Sequence, residues 1–149
     1  MAITRTPMVD DDGSGRTGTI INAAWKTEFY NQIDGVIGVP VNWVPVDGSG
    51  AGLTFSPASA TLMRTGSFVS VTINLVFPAN ASPAPATIAG LPVAAGSASG
   101  FYSTYGIHRI FHISPGSAQI IVFHPTTGAQ QTNADLSGAY VTFAGFYHL

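Results

Sequence analysis

Two histidines four residues apart, His108 and His112 in GIHRIFHI, are the first residues whose spacing could do chemistry. On a helix that spacing puts both imidazoles on one face, where zinc hydrolases use them with a glutamate placed directly after the first histidine. Arg109 stands at that glutamate position, and the segment reads as a strand, on which residues four apart lie roughly 13 Å from one another. One ion cannot span that gap, so the pair is read as surface or interface histidines held by hydrogen bonds. The acidic run gives a second test. Asp10, Asp12 and Ser14 alternate, and Gly15 falls where an EF-hand loop needs its glycine. The twelfth position is Ile21 instead of a bidentate glutamate, and Gly18 stands at the ninth. The run is better read as a polar arm whose carboxylates precede a helix N-terminus, where the helix dipole favours negative charge.

Hydrolytic chemistry finds little material. Glycoside hydrolysis needs two carboxylates across the scissile bond, and beyond residue 38 the only carboxylates are Asp47 and Asp135, both in turn-like sequence. No G-x-S-x-G elbow, phosphate-binding P-loop or dinucleotide fingerprint is present. The expectation is a protein that is not an enzyme, with no catalytic residues, no cofactor and no metal. Recognition has a better candidate. Phe101, Tyr102 and Tyr105 cluster in GSASGFYSTYG, where a loop could display aromatic faces to a carbohydrate or receptor. The competing reading has these rings covering one end of the core or filling a subunit interface.

The elements that would position such residues follow from composition and periodicity. The chain has 149 residues, 46% of them hydrophobic, enough for one domain with its own core plus an appendage. Only 8% are Asp, Glu, Lys or Arg, against about 25% in an ordinary soluble domain. The shortfall is uneven: beyond residue 38 the charges are Asp47, Arg64, Arg109 and Asp135 alone, besides four histidines. Subunit interfaces are depleted of charge at their centres, so this part of the chain is expected to meet other subunits. With a net charge of −2 and no basic cluster, it lacks the footprint of a nucleic-acid binder. No apolar run is long enough for a transmembrane helix, and MAITRTPMVDDD lacks the apolar region of a secretory signal. The absence of cysteine excludes disulfides and thiolate metal sites.

Residues 1–18 read as an extended arm. Residues 19–34, TIINAAWKTEFYNQID, read as a helix, with Thr19 as N-cap and Gly35 as stop. Ile21, Trp25, Phe29 and Ile33 recur every four residues and form one apolar stripe, the candidate anchor for assembly. A single short helix is marginal in water, so the stripe needs a partner. After Val39-Pro40 the period changes to two. In SFVSVTINLVF, Val69, Val71, Ile73, Leu75 and Phe77 share one face, and Phe68, Ser70, Thr72, Asn74 and Val76 the other. Further strands are predicted over Val41–Val46, Leu53–Phe55, Thr61–Arg64, Thr87–Ala89, Gly106–Ile113, Ala118–His124 and Ala139–Tyr147. The fold class is therefore mainly β: an arm and one helix over 1–38, then an antiparallel, jelly-roll-like β-sandwich of about eight strands over 39–149. The proline-rich stretch from Pro78 to Pro85 is read as a loop within that sandwich.

The leader TRTPMVDDDGSGRTGTIINAAWKTEFYNQID resembles that of small structural proteins of tailed bacteriophages. NWVPV, GLTF, TLMRTGSFVSVTINLVF, IAGLP and SGAYVTFAGFYHL look like the β domain attached to such leaders. The resemblance covers nearly the whole chain, through loose motifs without chemical signatures. It implies a virion component made in the host cytoplasm, commonly trimeric, that binds itself and, through the arm, a major capsid protein or another virion protein. Capsid decoration or cement is the placement expected. A short tail-fibre or baseplate-attached receptor-binding protein is the alternative, and a carbohydrate-binding module contacting host glycans a further one.

Overall fold

A computed structural model describes residues 27–33, 38–56, 58–106 and 108–149, without the side chains of Tyr102 and of residues 104–106. Nine strands form one hydrogen-bonded order, β1-β3-β4-β9-β6-β7-β8-β5-β2. They are β1 (Val41–Trp43), β2 (Val46–Asp47), β3 (Ala58–Thr65), β4 (Phe68–Val76), β5 (Thr87–Ala89), β6 (Ser99–Gly106), β7 (Ile110–Ile113), β8 (Ile120–Phe123) and β9 (Tyr140–His148). Every pairing is antiparallel. The architecture is the mainly β sandwich expected, with nine strands where about eight were predicted.

The alternation of β4 organises it. Val69, Val71, Ile73, Leu75 and Phe77 are all buried, and the intervening residues face outward. β4 pairs with β3 on one side and along its whole length with β9 on the other, so the inward residues of β9, Val141, Phe143 and Tyr147, extend the same buried layer. Leu62 and Ala60 of β3 complete it.

β6 turns the order into two layers. Its first half, Ser99 to Tyr102, pairs with β7, and its second half, from Ser103, pairs with β9. The register shifts between Ser103 and Tyr105; such bulges bend a strand and let it pass from one sheet to the other. The first sheet is thus β1, β3, β4, β9 and the end of β6. The second is the start of β6 with β7, β8, β5 and β2. Their inner faces share one core, in which Phe143 stacks on Phe111 (centroids 4.3 Å apart) and lies parallel to Phe101 (5.8 Å).

On the side opposite β6, the chain itself joins the sheets. β1 ends one sheet and β2 the other, with only Val44 and Pro45 between them. Gly90 makes this crossing possible: a Cβ there would press on the Val44 carbonyl, and its φ of +96° suits glycine.

Four sequence expectations are corrected. Val41–Val46 is not one strand but two, β1 and β2, which belong to different sheets. Leu53–Phe55 is not a strand, because the Leu53 amide donates to Asp47 Oδ2 (3.1 Å) and Phe55 packs edge-on against Phe77. β3 begins at Ala58, ahead of the predicted Thr61. Gly106–Ile113 is not one strand either: β6 ends at Gly106 and β7 starts at Ile110, so the stretch contains their connection. The proline-rich segment stays within the sandwich, since Pro85 bridges to Thr132 and Ala86 is fully buried. Of the predicted helix, residues 27–33 are helical and the remainder, like the arm of residues 1–18, lies outside the described residues.

Candidate interaction surface

The outer face of the first sheet is read directly from strand parity. β3 contributes Ser59, Thr61, Met63 and Thr65; β4 contributes Phe68, Ser70, Thr72, Asn74 and Val76. β9 adds Tyr140, Thr142, Ala144, Phe146 and His148, and β1 adds Asn42 opposite Thr61. Among the described residues this face carries no Asp, Glu, Lys or Arg. Arg64 belongs to β3 but has the inward parity, opposite Val69, and its Nε donates to the Gly66 carbonyl (2.9 Å) in the adjoining turn.

Most of the face is shallow. Serine, threonine, asparagine and alanine give a β-surface with short side chains and many hydroxyls. Thr142 Oγ1 donates to Asn74 Oδ1 (2.8 Å) and Thr61 Oγ1 to Asn42 Oδ1 (3.3 Å), cross-strand pairs that hold the side chains flat. At one end stands an aromatic group. Phe68 pairs directly with His148, and Phe146 lies diagonally across. The two phenyl rings stack at 4.9 Å and the imidazole meets Phe68 edge-on at 5.4 Å. Phe146 is nevertheless 57% exposed and Phe68 38%. Aromatic rings are enriched, and charged residues depleted, at the centre of protein contacts.

The residues expected to form a site fare differently. Phe101 is not on a display loop. It is buried, with its ring lying on Gly145 so closely that any Cβ there would overlap it. This corrects the expectation of a recognition surface at that residue, and its physical cause is the glycine, which leaves a gap in the inner face of β9 that the ring fills. The backbone of Tyr102 and Tyr105 runs in β6, while their side chains lie outside the described ones. Of the anchor stripe, Ile21 and Trp25 lie outside the described residues. Phe29 is exposed and Ile33 half-buried, and neither belongs to the sandwich core. His112 sits on β7 with its ring edge-on to Phe123, while His108 is exposed ahead of the strand. Asp10, Asp12 and Ser14 are outside the described residues; among those described, no three His, Asp or Glu side chains gather as a metal-binding group. No helix of the described residues is long and apolar enough to cross a membrane.

The two carboxylates of the sandwich organise loops. Asp47 Oδ1 accepts from the Ser49 amide (2.8 Å) and hydroxyl, and Ser49 Oγ in turn accepts from Asn133 Nδ2 (2.8 Å), tying distant loops together. Burial pushes the Asp47 carboxyl upward, but hydrogen bonds from Ser49, Leu53 and Gly52 outweigh it and hold the group below its usual range. The amide and hydroxyl of Thr132 do the same for Asp135, helped by the fields of Arg109 and His124.

Phe68 and Phe146 are the surface residues that sequence reasoning missed. Their signal was available: both are aromatics on the outward parity of strongly alternating strands, where β-sheet surfaces ordinarily carry polar groups. In comparisons with known proteins, no family model matches the chain, and no curated protein or solved structure matches it either.

Proposed function

We propose that this chain is a non-enzymatic structural protein of a tailed-bacteriophage particle, a homotrimeric decoration protein that studs or cements the capsid. The observation that carries the reading is the outer face of the first sheet, free of ionic side chains and bearing exposed aromatics at one end. A solitary domain keeps charge over its surface for solubility; this sandwich concentrates what little it has elsewhere. The resemblance of the leader and of the β segments to small phage structural proteins supplies the setting. In this reading the sandwich assembles with copies of itself, while residues 1–38 strap the assembly to a major capsid protein or another virion protein. Ordering of the arm on contact costs chain entropy, which apolar burial of Ile21, Trp25, Phe29 and Ile33 offsets.

Imaging particles with and without the protein tests the placement, and copy number separates the two sites on the virion. Hundreds of copies per particle are expected for decoration; a few dozen or fewer would move the protein to the tail or baseplate. In particles carrying Trp25→Ala, occupancy and thermal resistance are expected to fall, and unchanged occupancy would remove the anchoring role of the stripe.

A receptor-binding fibre protein is the second reading, favoured by one observation. The stacked, exposed rings of Phe68 and Phe146 offer the flat apolar platform on which sugar rings stack. Low copy number together with glycan binding by the purified chain would select it.

A further inference from the structure

We infer that the sandwich stands on the particle by the end at which the chain enters it and holds the opposite, loop-bearing end outward; the inference rests on residues 1–38 being the strap proposed above. Strand register sets the two ends. A Cβ on Gly38 would meet the Arg64 carbonyl at 2.7 Å and Thr65 Oγ1 at 2.9 Å, so the chain arrives beside the turn that joins β3 to β4. The Leu149 amide donates to the Ser67 carbonyl (2.9 Å) in that same turn, and the Gly96 amide to the His148 carbonyl (2.7 Å). At the other end β3 starts and β4 stops, with Ala58 opposite Leu75 and Val76 opposite Tyr140. The loops of residues 48–56, 77–86 and 124–139 gather there and hold one another. Asn133 Nδ2 donates to Ser49 Oγ (2.8 Å), Asn80 Nδ2 to the Asn133 carbonyl (3.2 Å), and the Asn80 amide to Ser137 Oγ (2.9 Å).

Reach decides which end can face the anchor. Only residues 34–37 separate Ile33, in the helix, from Gly38, and that much fully extended chain spans at most roughly 18 Å. The nine residues of β4 put roughly 26 Å between the two ends. An inverted sandwich would carry Gly38 that far from the surface gripping the helix, beyond the length of the tether. Charge agrees with reach. Asp47, Arg109 and Asp135 gather at the loop end, where Arg109 and His124 both act on the Asp135 carboxylate. Among the described residues of the sandwich, Arg64 is the one Asp, Glu, Lys or Arg left at the entry end, beside the exposed Phe68. Charge is kept where a surface meets water, and aromatic rings are enriched where proteins meet. The partner at the entry end is therefore the virion protein that grips the helix, and the outward end is a polar set of loops braced by its own hydrogen bonds.

The test is thiol labelling on intact particles, since the native chain has no cysteine. Thr65→Cys and Ser67→Cys mark the entry end, Ala51→Cys and Thr126→Cys the loop end, and all four positions are exposed. In the free protein each thiol is expected to react with a polyethylene-glycol maleimide, with circular dichroism matching that of the native chain. On particles the loop-end thiols should keep that reactivity and the entry-end thiols should lose most of it. Because the same variant is compared free and bound, shielding between copies of the chain drops out of the difference. Protection of the loop end instead would invert the sandwich, and equal labelling of the two ends would overturn the orientation; in both cases the particle-bound reading stands. A chain that never copurifies with particles would overturn both.

Discussion

Along β4 and β9 the outward positions carry serine, threonine, asparagine, alanine and Val76 between aromatic ends, and seven of the ten are exposed, with Ser70, Val76 and Thr142 half-buried. Along β7 and β8 the outward positions are Ile110, His112, Ile121 and Phe123, each only half-exposed, and Thr87 of the neighbouring β5 is buried. Both carboxylates of the sandwich, with Arg109 and His124, lie on or beside the second sheet (Asp47 on β2, Arg109 ahead of β7, His124 after β8, and Asp135 within reach of their fields), while the first sheet carries Arg64 at the end of β3 and His148 on β9. Folding has already given the apolar outer face of the second sheet much of its cover and has placed charge around it for water. The first sheet has a buried inner face and an outer one that, among the described residues, carries no Asp, Glu, Lys or Arg. The same two-residue alternation builds both sheets; what differs is which side is finished by intramolecular contacts.

The largest effect expected from breaking this arrangement lies where the sheets meet. Phe143 is held between Phe111 and Phe101 across the β6 corner, so Phe143→Ala removes a fully buried ring shared by both sheets. A loss of about 3–5 kcal/mol is expected in denaturant unfolding, and a loss near 1 kcal/mol would mean the corner is not a shared core. The next effect contrasts the outer faces directly. Ile121→Lys puts an ammonium among half-buried apolar groups and is expected to cost about 1–3 kcal/mol. Thr72→Lys, on the open face, should change the stability of the isolated subunit by no more than about 0.5 kcal/mol. Equal costs at the two positions would erase the distinction between the faces. The smallest effect is in acid. Asp47 and Asp135 are both held below the ordinary carboxyl value of 3.8 in the fold. Their contribution is therefore complete above that value and drains away as pH falls through the lower folded one. Below about pH 4, amide signals of residues 47–53 and 132–135 should shift while those of Thr72 and Ala144 stay in place.

Legibility in the sequence followed the strength of local pattern. β4 could be read residue by residue, because five apolar side chains alternate without interruption and nothing in tertiary context opposes them. β9 was located within a residue of its ends for the same reason. β6 was not legible. Its glycine and serine content suggests a loop, and its strand state comes from partners on both sides, β7 for one half and β9 for the other, which no local window contains. The error at Leu53–Phe55 is of the opposite kind: an alternating Leu-Thr-Phe triplet looked like a strand, but the Leu53 amide is held by Asp47 in place of a neighbouring strand, while Phe55 is buried in the core and Leu53 packs against it. The surface reading at Phe101 failed through the same limit. Phe101, Tyr102 and Tyr105 drew attention as a sequence cluster, whereas Phe68 and Phe146 are far apart in sequence and become neighbours only through the pairing of β4 with β9.

The two-residue crossing at Val44–Pro45 has a mechanical consequence. Because the strand order begins and ends on elements joined by that crossing, it acts as a clasp on a rolled sheet, with β6 as the fold of the roll. The two strands it joins remain outermost, each with one hydrogen-bonded neighbour, so the crossing closes no ladder; it limits instead how far the two edges can move apart.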